Sequence, residues 1–582
     1  MYFDFLVDVP DRGSKIILKK KGSTTYVLYQ YGQRYEREKG YEIPKRSIIG
    51  KLDSKNGKQM YPNENFQAYF PNTSMPEERP AAYRSCSLRI GSYIIIKKAL
   101  EEYKLPQLLK KHVGDDYQLF MDLIAYLIVN EDNAGQYYPD YAYCHPLFTP
   151  DMKIYSDSKV SRLLSSITSD QIIGFQNDWN KGRDHKQRIY ISYDSTNKNC
   201  QAGDIDILEH GAAKDDRKKT IFNLSIAFDK NGKVPLLYEE YPGSINDISQ
   251  FRYMVDKVMS YGYKNIGFIL DRGYFDQDNI EYMDKMGFSF IMMVKGCRKL
   301  VSSLIQEKRN TFETKRSCCI RAYKVYGTTE TAKLYAGDEK ERYFHIYYNP
   351  YRQAYEREKL EADLDRYKKD MEKAKETEMT FGDTYKKYFN LIYNNKKFVG
   401  YTEKEDVIEY ELETAGYFCI VTSESMTAEQ ALIQYKGRDI SEKLFQADKS
   451  FIGSKSMRVH SKEALSAKIF LEFTALIVRN RIYNLLKETM LKLDSNPNYL
   501  TVPAAIRELE KLEMVRLNNG RYQLDHAISK RQRIILSSFG IDDDKVKDAA
   551  GEISNILKNV KDPDIQPDEE AENGENEVDY FD

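Results

Sequence analysis

The stretch Tyr435–Lys449, YKGRDISEKLFQADK, sets four functional side chains at spacings near whole helical turns. Arg438 follows Tyr435 by three residues, Glu442 follows Arg438 by four, and Lys449 follows Glu442 by seven. At about 100° per residue these four share one helix face, with Leu444 and Phe445 on another. A carboxylate flanked by a ring, a guanidinium and an ammonium suits phosphodiester chemistry. The acid can hold a divalent metal, the cations can hold phosphates, and the ring can stack on a base. Gly437 can break the first turn, which would leave Tyr435 on a short preceding segment. A solvated charged face is the plain alternative in a chain with 30% charged residues.

Cutting a phosphodiester needs an activated water, a stabilised leaving oxygen and neutralised phosphate charge. Two divalent ions about 3.5–4 Å apart supply all three. Mg²⁺ takes only a few carboxylates besides waters and substrate oxygens, so three acids from separate elements suffice. Asp194, Asp271 and Glu442 form that candidate set. Asp204 and Asp206 are an alternative acidic pair, in a Gly-containing loop. His185 and His210 stand alone, without the pair spacing of a metal site. The seven cysteines are scattered and form no CxxC pair, which argues against zinc and disulfide frameworks.

The elements that must position these acids follow from periodicity. RIYISYDST (188–196) reads as a strand ending near Asp194. TIFNLSIAFDKNGKVPLLYEEYPGS reads as a hairpin with Asn231 and Gly232 supplying the positive-φ turn. A helix over Asp247–Ser260 follows, then the apolar strand NIGFILDRGYF (265–275), the helix DQDNIEYMDKMG and the strand FSFIMMVKG. Strand, hairpin, helix, strand, helix, strand is the ribonuclease-H-like order, which sets Asp194 beside Asp271. GYFCIVTS (416–423) returns as a strand before the signature helix, and SKEALSAKIFLEFTALIVRNRIYNLLKETM is a long helix expected to pack across the sheet.

The expected fold class is therefore α/β: a ribonuclease-H-like mixed sheet with flanking helices, interrupted by an insertion, behind β-rich and helical domains. The expected layout is a β-rich domain over 1–85 and a helical domain over 86–185 that could bind DNA or act as a spacer. The core occupies 186–297 and 421–496, with an insertion of β segments and a charged helix over 298–420. A helical, winged-helix-like appendage spans 497–560 and an acidic tail spans 561–582. That tail carries ten acids and one lysine, a charge of −9; the whole chain carries −1, so the remainder is +8. A mildly basic body admits a nucleic-acid partner, and the acidic tail is expected to be disordered. No run of 18 apolar residues occurs and the first residues lack a signal-peptide pattern, so a soluble cytoplasmic protein is expected, with no membrane partner.

Tyr435, Arg438, Glu442 and Lys449 reproduce the YREK signature, and the chain resembles the IS4-type DDE transposases from roughly Arg188 to Leu486. YDST at Asp194, PGSINDIS (242–249), LDRGYF (270–275) and TSESMTAEQAL resemble that family's blocks. RVHSKEALSAKIFLEFTAL and YEREKGYEIPKRSIIGKLD are similar to the IS1634-type branch. The resemblance implies a ribonuclease-H fold, two Mg²⁺ or Mn²⁺ ions held by Asp194, Asp271 and Glu442, and cut-and-paste DNA transposition. It implies that Tyr435, Arg438 and Lys449 contact the transposon end, joined here by Arg272 and Tyr274. The implied partners are terminal inverted repeats and target DNA, bound by a homodimer. Some relatives stack a flipped base on a Trp in the insertion; the single Trp here, Trp179, precedes the core, so Tyr274 or an insertion tyrosine would have to serve. A nuclease on the same fold and a transposase-derived binding protein without catalysis remain the alternatives.

Overall fold

Short alternating runs broken by Gly, Pro and Asn form the strands of a first unit, Met1–Tyr83. Here β1 (Val7–Asp8), β2 (Ile16–Lys21), β3 (Thr24–Glu36), β4 (Tyr41–Leu52) and β5 (Gln59–Pro62) pair antiparallel in the order β1-β5-β4-β3-β2. Val27, Ile49, Met60 and Phe66 form its small core. The structure, a computed structural model, describes residues 6–559 except 12–14, 23, 37–40, 55, 72, 74–83, 201–204, 210–219, 246, 295–297, 336, 439–455, 460, 494, 496 and 518–520. The acidic tail over 561–582 lies outside the described residues.

The second unit, Arg84–Asp582, opens on β6 (Ser87–Arg89) and a set of helices. YIIIKKALEEYKLPQLLKKH forms two helices, Gly91–Glu102 and Leu105–Val113. Pro106 lacks an N–H and cannot continue the preceding helix; Lys104 takes the left-handed conformation at the break, with φ of 55°.

The main sheet then forms from β7 (Ile189–Cys200), β8 (Ile221–Asp229), β9 (Val234–Pro242), β10 (Ile266–Leu270) and β11 (Ser289–Met293). Helices Asp247–Ser260 and Gln277–Lys285 are the crossovers that let β7, β10 and β11 run parallel. Two details differ from expectation. β7 does not stop at Asp194 but continues to Cys200, because β8 pairs with it throughout. The β8–β9 turn places its positive φ on Lys233, at 53°, and not on Asn231 or Gly232. Asp229 sets this turn: its Oδ1 accepts from the Asn231 N–H at 2.9 Å.

The sheet does not end there. β12 (Cys319–Ile320), β13 (Val325–Lys333) and β14 (Glu341–Tyr348) extend it, joined through β17 (Tyr417–Thr422) in the order β12-β13-β14-β17-β11-β10-β7-β8-β9. This corrects the expectation that 298–420 is an excursion from the sheet. The alternating ERYFHIYY segment buries Phe344, Ile346 and Tyr347 and pairs residue for residue with β17. What leaves the sheet is narrower. Helices Pro350–Lys373, Asp383–Tyr388 and Glu405–Thr414, with the hairpin β15 (Phe389–Asn394) and β16 (Lys397–Glu403), share a core of their own around Leu364, Tyr367, Met371, Phe389 and Phe398. A short strand, β18 (Ser456–Met457), pairs with the far end of β7.

The helix Lys462–Lys492 is buried along most of its length, packed between β9 and the Tyr117–Asn130 and Asp157–Ser166 helices. A helix covered on all sides needs apolar residues all round, which its IFLEFTALIV stretch supplies. The C-terminal segment is not a separate appendage. Its hairpin, β19 (Glu513–Arg516) and β20 (Tyr522–Leu524), takes β6 as a third strand. A Cβ on Gly91 would lie 2.4 Å from the Leu509 carbonyl oxygen, so only glycine admits this close packing of the Gly91–Glu102 and Val502–Leu509 helices.

His345 on β14 bridges its neighbours, with Nδ1 2.8 Å from Thr329 Oγ1 on β13 and Nε2 3.0 Å from Thr422 Oγ1 on β17. Burial lowers its pKa from the usual value to about 4. The unfolded chain therefore takes up this proton first, so the stability is present above pH 6.5 and is lost as pH falls through 6.5 toward 4. The expected outcome is that His345→Gln flattens the fall in urea midpoint between pH 7 and 5.5, removing a contribution of about 1 kcal/mol.

Candidate active site

Residues of the central strands alternate between two faces. Tyr193, Phe268, Leu270, Phe290 and Met292 pack into the large core, whereas Ile269 and Ile291 pack with Ile420, Leu432 and Tyr435 beneath the helix Ala428–Lys436. The residues one step beyond Tyr193 and Leu270 therefore project toward that helix. They are Asp194 and Asp271, and Tyr193 and Leu270 are register partners on β7 and β10. The two aspartates are lateral neighbours on one face of the sheet.

Arg438 lies between them. Its Nη1 is 3.7 Å from Asp194 Oδ2 and 3.7 Å from Asp271 Oδ2. The Arg438 guanidinium stands 5.7 Å from the centre of the Tyr435 ring, and the Tyr435 hydroxyl donates to Asp271 Oδ1 at 3.5 Å. Backbone amides orient the other lone pairs: Ser195 N–H donates to Asp194 Oδ1 at 2.9 Å and Arg272 N–H to Asp271 Oδ1 at 2.8 Å. Oxygen donors gathered on a single cation are the donor set that Mg²⁺ or Mn²⁺ prefers, and Asp194 and Asp271 fit such an ion in place of the guanidinium. Glu442 and Lys449 lie outside the described residues, as do Asp204 and His210. Among the described residues no group of three His, Cys, Asp or Glu side chains forms a metal cluster.

The helix carrying Tyr435 ends at Lys436, with Gly437 as its C-cap. Tyr435 and Arg438 are thus not on one continuous α-helix; Gly437 keeps an ordinary right-handed φ of −59°, and the Arg438 N–H donates to the Tyr435 carbonyl at 3.0 Å in a tighter turn. Thr427 and Gln430 form a capping box at the other end, and the Tyr347 hydroxyl donates to the Ala428 carbonyl at 2.7 Å. Arg188 ties the preceding loop to β7 through a two-pronged pair with Glu424 at 2.7 and 2.6 Å.

One expected site residue sits differently. Tyr274 is 2% exposed and packs on Tyr193 and Phe251 in the core, so its ring is not placed to stack on DNA. Its spacing after Asp271 resembles a site motif, but the turn that follows β10 points it inward. Arg272 is exposed beside Asp271. Trp179 is fully buried and donates from its indole to the Pro235 carbonyl at 2.9 Å. His185 stacks on Tyr263 at 4.4 Å, a structural role.

Lys230 was missed by sequence reasoning because it lies in the distant β8–β9 turn. Its Nζ donates to the Gln434 and Ile433 carbonyls at 3.2 and 3.3 Å and to Gln434 Oε1 at 2.6 Å. It caps the helix end immediately before Arg438. Burial pushes its pKa down to about 8, while the negative helix terminus favours the charged form.

Residues 191–478 match the family model described as transposase DDE domain. Over these residues the chain is similar to that family. Asp194, Asp271, Tyr435 and Arg438 all fall inside the DDE domain match. No curated protein matches the sequence. Among solved structures, the chain is similar to a piggyBac transposase synaptic complex with hairpin DNA, at a TM-score of 0.32 and 8% identity over 84% of this chain and 80% of that one.

The support beneath Arg438 is testable. A Cβ on Gly437 would lie 2.2 Å from Lys230 Cε, so Gly437→Ala must displace the capping ammonium. Gly437→Ala and Lys230→Ala should each cost about 1 kcal/mol in urea unfolding, the value of a lost cap hydrogen bond. In the Lys230→Ala background, Gly437→Ala should cost nothing further; additive losses would mean that the two residues act separately.

Proposed function

We propose that this chain is a DDE transposase of the IS4 type, with the YREK signature and of the IS1634-like branch. It binds insertion-sequence ends and catalyses metal-dependent strand cleavage and strand transfer on a ribonuclease-H-like core. The observation that carries this reading is the convergence of Asp194 and Asp271 on one cationic point within the matched segment. The strand order β9-β8-β7-β10-β11 supports the core assignment.

DDE transposases generally use divalent metal ions, and Mg²⁺ or Mn²⁺, as two ions, would activate water and stabilise the leaving oxygen. In this reading Asp194, Asp271 and Glu442 hold the ions. The Ser195 and Arg272 amides hold Asp194 Oδ1 and Asp271 Oδ1 in place, and the two carboxylates would supply oxygen donors to the ions. Arg438, which bridges the carboxylates here, would offer its planar fork to a DNA phosphate. Lys449 adds a second phosphate contact, Arg272 a third from its exposed position, and Tyr435 supports the Arg438 guanidinium with its ring. The partners are terminal inverted repeats and target DNA, and the acting form is a homodimer. No described helix is long and apolar enough to cross a membrane.

The test is cleavage and binding of a labelled transposon end across a salt series in Mg²⁺. Asp271→Asn and Glu442→Gln should each lower cleavage by roughly a thousandfold, several kcal/mol of lost metal-assisted stabilisation, while end binding persists. Arg438→Ala and Lys449→Ala should weaken end binding and lower the salt slope by about one each. Tyr435→Phe keeps the ring and should be mild. Normal cleavage by Glu442→Gln would overturn the triad.

A further inference from the structure

In the first unit, β3 and β4 run on past the strands that flank them. β2 pairs with β3 only over Thr24–Tyr29, and β5 pairs with β4 only over Gly50–Leu52. Among the described residues, Gln30–Glu36 and Tyr41–Arg46 therefore pair with each other alone. They form a two-stranded ribbon about 20 Å long at the usual rise per residue. Its root is braced by rings: Tyr31 stacks on Tyr69 at 5.3 Å, and Tyr29 meets Tyr69 and Phe70 at 5.4 and 5.0 Å. Beyond the root the ribbon stands clear, with Tyr35 61% and Tyr41 56% exposed. A two-stranded ribbon is marginally stable by itself in water, so a partner that covers it would stabilise it.

Register decides which side chains share a face. β3 carries one extra residue, Tyr31, against β4, so β4 keeps its alternation. Arg46, Pro44 and Glu42 lie on one face with their partners Gln30, Gln33 and Tyr35. Lys45, Ile43 and Tyr41 lie on the other, with Gly32, Arg34 and Glu36. The polar groups of the first face are the types that match base edges in a major groove: Gln for adenine, Arg for guanine, Glu for the cytosine amino group. Among the described residues, no side-chain hydrogen bond or ion pair engages Gln30, Gln33, Glu42, Lys45 or Arg46. Charge points the same way. The unit Met1–Tyr83 holds 14 lysines and arginines against ten acids, a charge of +4, whereas the whole chain carries −1. On the ribbon itself Arg34, Lys45 and Arg46 stand against Glu36 and Glu42, with Arg34 3.5 Å from Glu36. The major groove of B-form DNA, about 12 Å wide, admits a two-stranded ribbon, whereas the deep, narrow major groove of an RNA duplex does not.

We infer that this ribbon enters the major groove of B-form duplex DNA, with Gln30, Gln33, Glu42 and Arg46 toward base edges and Lys45, on the opposite face, toward the phosphates that rim the groove. The surface is apart from the aspartate pair. The inference rests on the proposed function for its partner, DNA, and names a part of the chain that selects the sequence bound.

The experiment is selection of a random-sequence duplex DNA library by the full chain without divalent ions, so that cleavage does not intervene, followed by binding of the recovered duplex. A recovered sequence preference is expected. Arg46→Ala and Gln33→Ala should each weaken the recovered duplex about tenfold and relax the preference at one base pair. Lys45→Gln should weaken all duplexes alike and lower the salt slope by about one. Each variant should unfold at the temperature of the unaltered chain, because Gln33, Lys45 and Arg46 are exposed; should one variant unfold, the others decide. An RNA duplex of the same sequence should not compete. Duplex binding without any preference, or a preference unchanged in Arg46→Ala and Gln33→Ala, would overturn the ribbon assignment and leave the proposed function standing. An unaltered chain that binds no duplex would overturn both. Variants that lose self-association while binding DNA normally would make the ribbon a contact between two copies of the chain, and this too would overturn the assignment.

Discussion

Two carboxylates on neighbouring strands of one sheet face cannot be left to themselves. At the roughly 4.8 Å spacing of adjacent strands, two unit charges repel by about 3 kcal/mol at an effective dielectric of 20. Asp194 and Asp271 are in that position, and Arg438 stands between them at 3.7 Å from each. The rest of the architecture can be understood as whatever is needed to bring a cation to that point. The parallel pairing of β7 and β10 sets the register of the acids, and the helix Ala428–Lys436 sets the approach of the guanidinium.

That approach rests on contacts far apart in sequence. Lys230 from the β8–β9 turn holds the helix end, Tyr347 from β14 holds its beginning, and the Arg188–Glu424 pair ties the loop before it to β7. β14 belongs to the stretch expected to leave the core, so the extended sheet takes part in positioning Arg438. In the proposed reading the same two acids would hold a divalent ion, for which oxygen donors of this kind are suited.

A second charge problem is solved differently. Lys198 and Glu472 are both almost fully buried and pair at 2.8 Å. Such a pair gains little net stability over an apolar replacement, but breaking it is expensive. It sits where β7, continuing past Asp194, meets the Lys462–Lys492 helix, so the layer behind the sheet is pinned to the strand that carries the first aspartate.

The sequence alone determined the local elements and the identity of the chemical groups. Periodicity marked β7, β10, β11 and their crossover helices, because a buried parallel strand and an amphipathic helix leave distinct patterns. It also picked out Asp194, Asp271, Tyr435 and Arg438, whose types and spacing survive without any coordinates. Only the tertiary structure decided which segments share a sheet, because strand pairing is a long-range choice that no local pattern encodes. The alternation in ERYFHIYYNP fits an isolated hairpin as well as a strand of the main sheet, and partnership with β17 settled it. Tyr274 had the right neighbours in sequence and the wrong direction in space, since a single turn after β10 points its ring into the core. Lys230 had no sequence signal at all: a lysine is ordinarily a surface residue, and only packing shows that this one caps a helix.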